Sequence, residues 1–150
     1  MAEAIELSRG QVNQWLQTLS ADPLGPESVL DDRGVALITR EDGRQLILRL
    51  AGDLLGLYVV LFQVPEEKAN EFYKIALIFN LHPTLVGSGH LAYDDSARTL
   101  TFCAQMPMEV MTEEFFGRLV VSVFTLSDEL RDQFFTLAGV PSPAEPAAVA

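Results

Sequence analysis

Cysteine is nearly absent from this sequence: Cys103 is the only one among 150 residues. No intramolecular disulfide can form, so the fold must stand on its core, and a reducing compartment is the simple expectation. Histidine is scarce as well. His82 and His90 are the only two, and they stand at no metal-ligand spacing from the cysteine. Basic residues number 10 against 21 acidic ones, a formal net charge of −11. That balance excludes nucleic acid, whose phosphates need Lys and Arg. It also argues against anionic membrane surfaces, and it suits a basic or neutral protein partner. Long apolar runs are missing too. The stretch 57–62 is strand-sized, far short of a membrane-crossing helix. The first residues, MAEAIE, have neither a basic n-region nor an apolar h-region, so no signal peptide is expected. A cytoplasmic protein without stable membrane association follows as the expectation.

What the chain does have is apolar content. Hydrophobic residues make up 49% and the mean hydropathy is +0.20. The excess must be buried internally or against a partner. The length suits one domain, read as residues 1–138, with a Pro/Ala-rich, aperiodic tail over 139–150 expected to be disordered.

Ser8 and Gln11 stand at the spacing of a capping box, and Val12, Trp15, Leu16 and Leu19 follow at helical spacing, which predicts a first helix from Ser8 to about Ser20. Asp22, Pro23, Gly25 and Pro26 break it. Strands are predicted over 33–40 and 44–50, joined by a hairpin at Asp42-Gly43. Residues 51–56, with two glycines, read as a loop. Residues 57–64 read as a third strand, apolar on both faces and therefore central. Pro65, Glu66 and Glu67 suit a helix start, and that second helix should reach Leu81. Residues 87–89 read as a flexible Gly-Ser-Gly link. Residues 90–93 and 98–105 form a second hairpin, ended by Met106-Pro107-Met108. Thr112 is placed to cap the last helix, with Phe115, Leu119, Val123, Leu126, Leu130, Phe134 and Leu137 along one face and Gly139 as its C′ residue. The order α-β-β-β-α-β-β-α, with strands in runs rather than alternating with helices, means an α+β fold: a twisted antiparallel sheet packed by helices.

The second helix is the least ordinary element. From Phe72 to Leu81 only Lys74 and Asn80 interrupt an apolar run, whereas a surface helix shows an apolar stripe. It therefore needs cover on two sides, its own sheet on one and a second subunit on the other, which makes the protein a homodimer. Phe72, Ile75, Ala76 and Phe79 share one face and are assigned to the dimer interface; Tyr73, Leu77 and Ile78 make up much of the opposite face. Periodicity does not say which face meets which partner.

No chemistry-bearing constellation emerges. Cys103 lies mid-strand, where a small packed side chain is the ordinary role, and no nucleophile motif surrounds it. Asp94-Asp95 reads as a turn, and the glycines at 87 and 89 precede no Walker lysine. Neither a cofactor nor a metal is expected, and the protein is not read as an enzyme.

The sequence resembles a known family, most specifically from Phe79 onward: the class I type III secretion chaperones, which include the chaperone of the translocated intimin receptor. The resemblance spans residues 12–135. It rests on a helix ending in Phe79-Asn80-Leu81, a Gly-containing link at 87–89, an apolar strand ending in Asp94, a second strand over 100–105 running into Met106-Pro107-Met108, and an acidic-capped helix over 112–130. The family usually has Leu-Pro-Leu where this chain has Met-Pro-Met. The resemblance implies a homodimer without catalysis. It would bind the N-terminal segment of a secreted effector in extended form, through apolar grooves and strand pairing. Candidate groove residues are Trp15, Leu16, Leu19, Val35, Leu37, Ile38 and Ile47; core packing accounts for each of them equally well. An adaptor or regulatory domain of the same topology, as in the YbjN-like proteins, is the alternative. A small enzyme using Cys103 is a distant third.

Overall fold

The computed structural model describes residues 2–19 and 29–140. The breaker at 22–26 and the tail from 141 lie outside the described residues. Four helices and five strands follow in the order α1 (Ala2–Leu19), β1 (Val35–Thr39), β2 (Gln45–Ala51), β3 (Leu54–Gln63), α2 (Ala69–Asn80), α3 (Pro83–Val86), β4 (His90–Asp94), β5 (Thr99–Pro107) and α4 (Glu113–Ala138). The strands hydrogen-bond in the order β1-β2-β3-β5-β4, antiparallel, so the fold is α+β as its sequence order implies. β3 takes the middle place, and its two-sided apolar pattern is the reason.

Several boundaries differ from expectation. α1 begins at Ala2, not at Ser8, which sits half-buried inside the helix. The Ala/Glu/Leu-rich residues before Ser8 are good helix formers and carry the helix past the capping signal. Residues 51–56 are no loop. Gly52 and Asp53 alone make the turn, and β3 starts at Leu54. The second helix is preceded by a separate 3₁₀ turn at Glu66–Lys68. The first hairpin closes as its Asp-Gly signal demands. Gly43 donates to the Arg40 carbonyl at 2.9 Å and Arg40 to the Arg44 carbonyl at 2.8 Å, with Gly43 at φ +88°. This three-residue loop needs a left-handed residue at its last position, and glycine supplies it.

The chain divides into two compact units, Met1–Leu57 with Gln105–Val121 and Tyr58–Ala104 with Ser122–Ala150. In the first, Val12, Trp15 and Leu16 of α1 are buried, with the Trp15 ring 5.7 Å from that of Phe116 on α4. β1 and β2 bury Ala36, Ile38, Leu46 and Leu48 from one face. In the second, the core is aromatic. Phe62, Phe72, Phe134 and Phe135 contact one another with centroids 4.8–6.0 Å apart, and Phe79 meets Phe134 at 4.9 Å. Such pairs add about 0.5–1.5 kcal/mol each beyond the area they bury.

α4 is capped at both ends as read. The Phe115 amide donates to Thr112 Oγ1 at 3.1 Å. At the far end Gly139 donates to the Thr136 carbonyl and Val140 to the Phe135 carbonyl, the paired bonds of a Schellman motif, with Gly139 at φ +66°. Leu119, Val123, Leu130 and Phe134 of the expected face are buried, and Phe116, Val120, Phe124 and Ser127 are buried beside them; Phe115 and Leu126 fall on the border, and Leu137 is 60% exposed. Nor are residues 87–89 simply a flexible link. A Cβ on Gly89 would lie 2.6 Å from both the Cys103 carbonyl oxygen and the Phe102 ring, so only glycine allows this approach.

Candidate functional site

The β1–β2 hairpin sorts the predicted groove residues by strand alternation. Its register pairs Ala36 with Leu48 and Ile38 with Leu46 on the buried face, and Leu37 with Ile47 on the other. Val35, Leu37 and Ile47 are accordingly half-buried and form an apolar strip on the outer face. Arg49, opposite Val35, ends the strip and is exposed. Leu19 is half-buried as well, its Cδ1 lying 3.9 Å from where a Cβ on Gly117 would stand. Trp15, Leu16 and Ile38 are different: Leu16 is fully buried, Ile38 and Trp15 nearly so. Their side chains are spent on the interior of their own unit, so Leu19, Val35, Leu37 and Ile47 are the four with surface left to offer.

β1 is also an edge strand. Leu50 donates to the Gly34 carbonyl and Arg40 to the Arg44 carbonyl, so even-numbered residues face β2. Val35, Leu37 and Thr39 therefore turn their backbone groups outward. Val35 is already occupied. Its amide donates to Asp31 Oδ1 at 3.0 Å, and its carbonyl accepts from the Asp31 amide at 2.8 Å. Asp31 is held from behind by α1. Arg9 donates to the Leu30 carbonyl at 3.2 Å and to that of Asp31, while Asn13 accepts the Leu30 amide at 2.8 Å. Leu37 and Thr39 have no such partner among the described residues.

β4 is the other edge. The Asn80 carboxamide at the end of α2 accepts the Leu91 amide at 2.8 Å and donates to the Leu91 carbonyl at 3.1 Å. One side chain thus makes both bonds that a neighbouring strand would make. Nearby, the rings of Tyr73 and Tyr93 meet edge to face at 5.0 Å, and the neighbouring Tyr73 raises the Tyr93 pKa.

The assignment of Phe72, Ile75, Ala76 and Phe79 to a dimer interface is corrected by this packing. Phe72, Ala76 and Phe79 are buried against Phe62, Phe134 and Phe135 within their own unit, and Ile75 is half-buried beside them. The free face of α2 is the opposite one, where Leu77 is 69%, Leu81 77% and Ile78 43% exposed. Sequence periodicity separated the two faces; only the distant phenylalanines of α4 decide between them.

Cys103 has His90 as its cross-strand partner. The thiol is buried, its sulfur lies 3.9 Å from the Thr101 carbonyl, and burial pushes its pKa up to about 11. At neutral pH it stays protonated, and the thiolate is the reactive form. No group of three or more potential metal ligands gathers among the described residues. None of the described helices is long and apolar enough to cross a membrane.

The architecture has counterparts among solved structures. A chain of the ExsC-ExsE complex superposes with a TM-score of 0.69 at 18% identity, over 83% of this chain and 93% of that one. A chain of the HopA1-SchA chaperone-effector complex gives 0.68 at 16% identity, over 87% and 97%. A chain of the ExoU-SpcU complex from the type III secretion system of Pseudomonas aeruginosa gives 0.61 at 17%, over 81% and 95%. At these identities the likeness is one of fold. No curated protein matches the sequence. The family model of the Tir chaperone proteins does, over residues 14–131, through both hairpins and most of α4, and the chain belongs to that Tir chaperone protein (CesT) family.

Proposed function

We propose that this protein is a cytoplasmic, homodimeric chaperone that binds the N-terminal segment of a type III secreted effector and keeps it soluble and export-competent. One observation carries the reading: β1 is an edge strand with an apolar outer strip at Val35, Leu37 and Ile47 and with backbone groups at Leu37 and Thr39 that find no partner among the described residues. An extended segment can hydrogen-bond to that edge and lay alternate side chains over the strip, which is recognition by strand addition. A related fold occurs in the HopA1-SchA chaperone-effector complex, which supports the class of partner. The protein acts by binding and performs no chemistry on the effector. A single cysteine, with no intramolecular disulfide possible, is in keeping with a reducing cytoplasm. The second subunit is placed on the outward face of α2, on Leu77, Ile78 and Leu81.

The test is co-expression with candidate type III secreted effectors. The two should co-purify through the effector's N-terminal region, and Leu37→Asp should weaken binding about 10-fold or more with the thermal midpoint nearly unchanged, because that side chain is only half-buried. No binding to any N-terminal effector segment overturns the proposal. A loss of stability equal to the loss of binding would make Leu37 a core residue instead.

A further inference from the structure

We infer that Asp31 and Asn80 are edge-closing residues. Each imitates a neighbouring strand, and together they leave Leu37 and Thr39 of β1 as the two-residue edge on which a partner segment can pair. The closures rest on the geometry of this chain alone; only the incoming segment rests on the chaperone reading.

An exposed strand edge accepts any extended chain, and proteins blunt edges that must not pair. Here the blunting is done by hydrogen-bond substitution. At Leu91 the carboxamide of Asn80 supplies an acceptor at 2.8 Å and a donor at 3.1 Å to the same residue. An added strand makes just that pair of bonds to each outward residue. β4 has five residues, and the alternation set by Leu91 leaves Tyr93 as its one other outward position before the turn at Asp94. That position is flanked by the Tyr73 ring. A one-residue edge cannot hold a strand.

At β1 the same logic trims the other end. Asp31 takes both groups of Val35, one with its side chain and one with its backbone amide, and α1 holds it there through Arg9 and Asn13. The next outward residues, Leu37 and Thr39, have no backbone partner among the described residues, and beyond them Arg40 turns back into the hairpin. A bound segment therefore has its register set by Asp31. It bonds to Leu37 and Thr39, and its alternate side chains reach the strip of Leu37 and Ile47.

Residue-resolved amide exchange on the full chain tests this, with a soluble nine-residue peptide of alternating Thr and Val as the pairing probe. In the free protein the Val35 and Leu91 amides should exchange about 10-fold or more slowly than those of Leu37 and Thr39, the scale expected for about one hydrogen bond. Asn80→Ala should release Leu91 while Ala92, bonded into the sheet, stays protected. Asp31→Ala should release Val35 and Arg33, whose amides share the Asp31 carboxylate, and leave Leu91 protected. The probe should protect Leu37 and Thr39 in the wild type, and Leu91 as well in Asn80→Ala. Leu91 and Val35 exchanging as fast as Leu37 and Thr39 in the wild type would overturn the closures, and that comparison needs no variant. Probe protection of Leu91 in the wild type would overturn them too. A probe that protects no residue in any variant would overturn strand pairing, while the free-protein comparison still decides the closures.

Discussion

The carboxylate of Asp31 accepts the amide hydrogens of Arg33 and Val35 through a single oxygen, at 2.8 and 3.0 Å. Those backbone bonds, Val35 first, hold its pKa below the ordinary value of 3.8. The folded form thus favours the ionised acid. The contribution of this contact is fully present above the ordinary range and is lost as pH falls through the depressed folded value. At pH 3.8, where an unperturbed aspartate is half protonated, the Val35 amide should still be protected, with protection fading only below that. Exchange corrected for its intrinsic pH dependence measures this; loss of protection already at pH 5 would contradict it. Cys103 is the opposite case, a group kept neutral. With its pKa at about 11, the native protein should resist a thiol reagent at pH 8 and react fully once unfolded in guanidinium. Little of this residue-scale detail was legible beforehand. Cys103 as a packed side chain followed from its place in a strand. Asn80 did not, because a polar residue near a helix end looks like any solvated one, and its partner lies across α3 and the link.

At the scale of elements, α2 carries the sharpest consequence. Its apolar circumference was readable from ten residues, and with it the need for two covers. Which cover meets which face depends on Phe134 and Phe135, some sixty residues downstream, and no local period contains that. The outward face leaves Leu77 and Leu81 one turn apart and largely exposed. Burying a leucine at an interface contributes about 1.5–3 kcal/mol, and a two-fold interface counts it twice. In the proposed dimer, Leu77→Asp should therefore weaken self-association on the order of 100-fold or more, read by sedimentation equilibrium, with helicity and thermal midpoint little changed. A Leu77→Asp protein that remains as tight a dimer as the wild type would move the interface elsewhere. The caps of α4 were legible at both ends because capping is local chemistry, Thr112 at one end and Gly139 at the other. The start of α1 was not, because helix propensity summed over Ala2–Leu7 outweighs one capping signal at Ser8.

For the whole molecule, element order and class could be read, and strand order could not. The sheet runs β1-β2-β3-β5-β4, so the second hairpin joins through β5 and leaves β4 outermost. Sequence pattern marks β3 as central by its two apolar faces but is silent on which strand of the later hairpin stands beside it. The resemblance to secretion chaperones supplied function where composition had only excluded nucleic acid and membranes. One feature of the sheet bears on how such a protein lets go. The two β1 residues without a backbone partner among the described residues offer four backbone groups, and at about 1 kcal/mol per bond they hold a segment with about 4 kcal/mol, a millimolar grip. Retention must then come from side chains laid over the surface one after another. A client bound in this way can be peeled off from one end in small steps, each cheap enough for a pulling machine to take without unfolding the carrier.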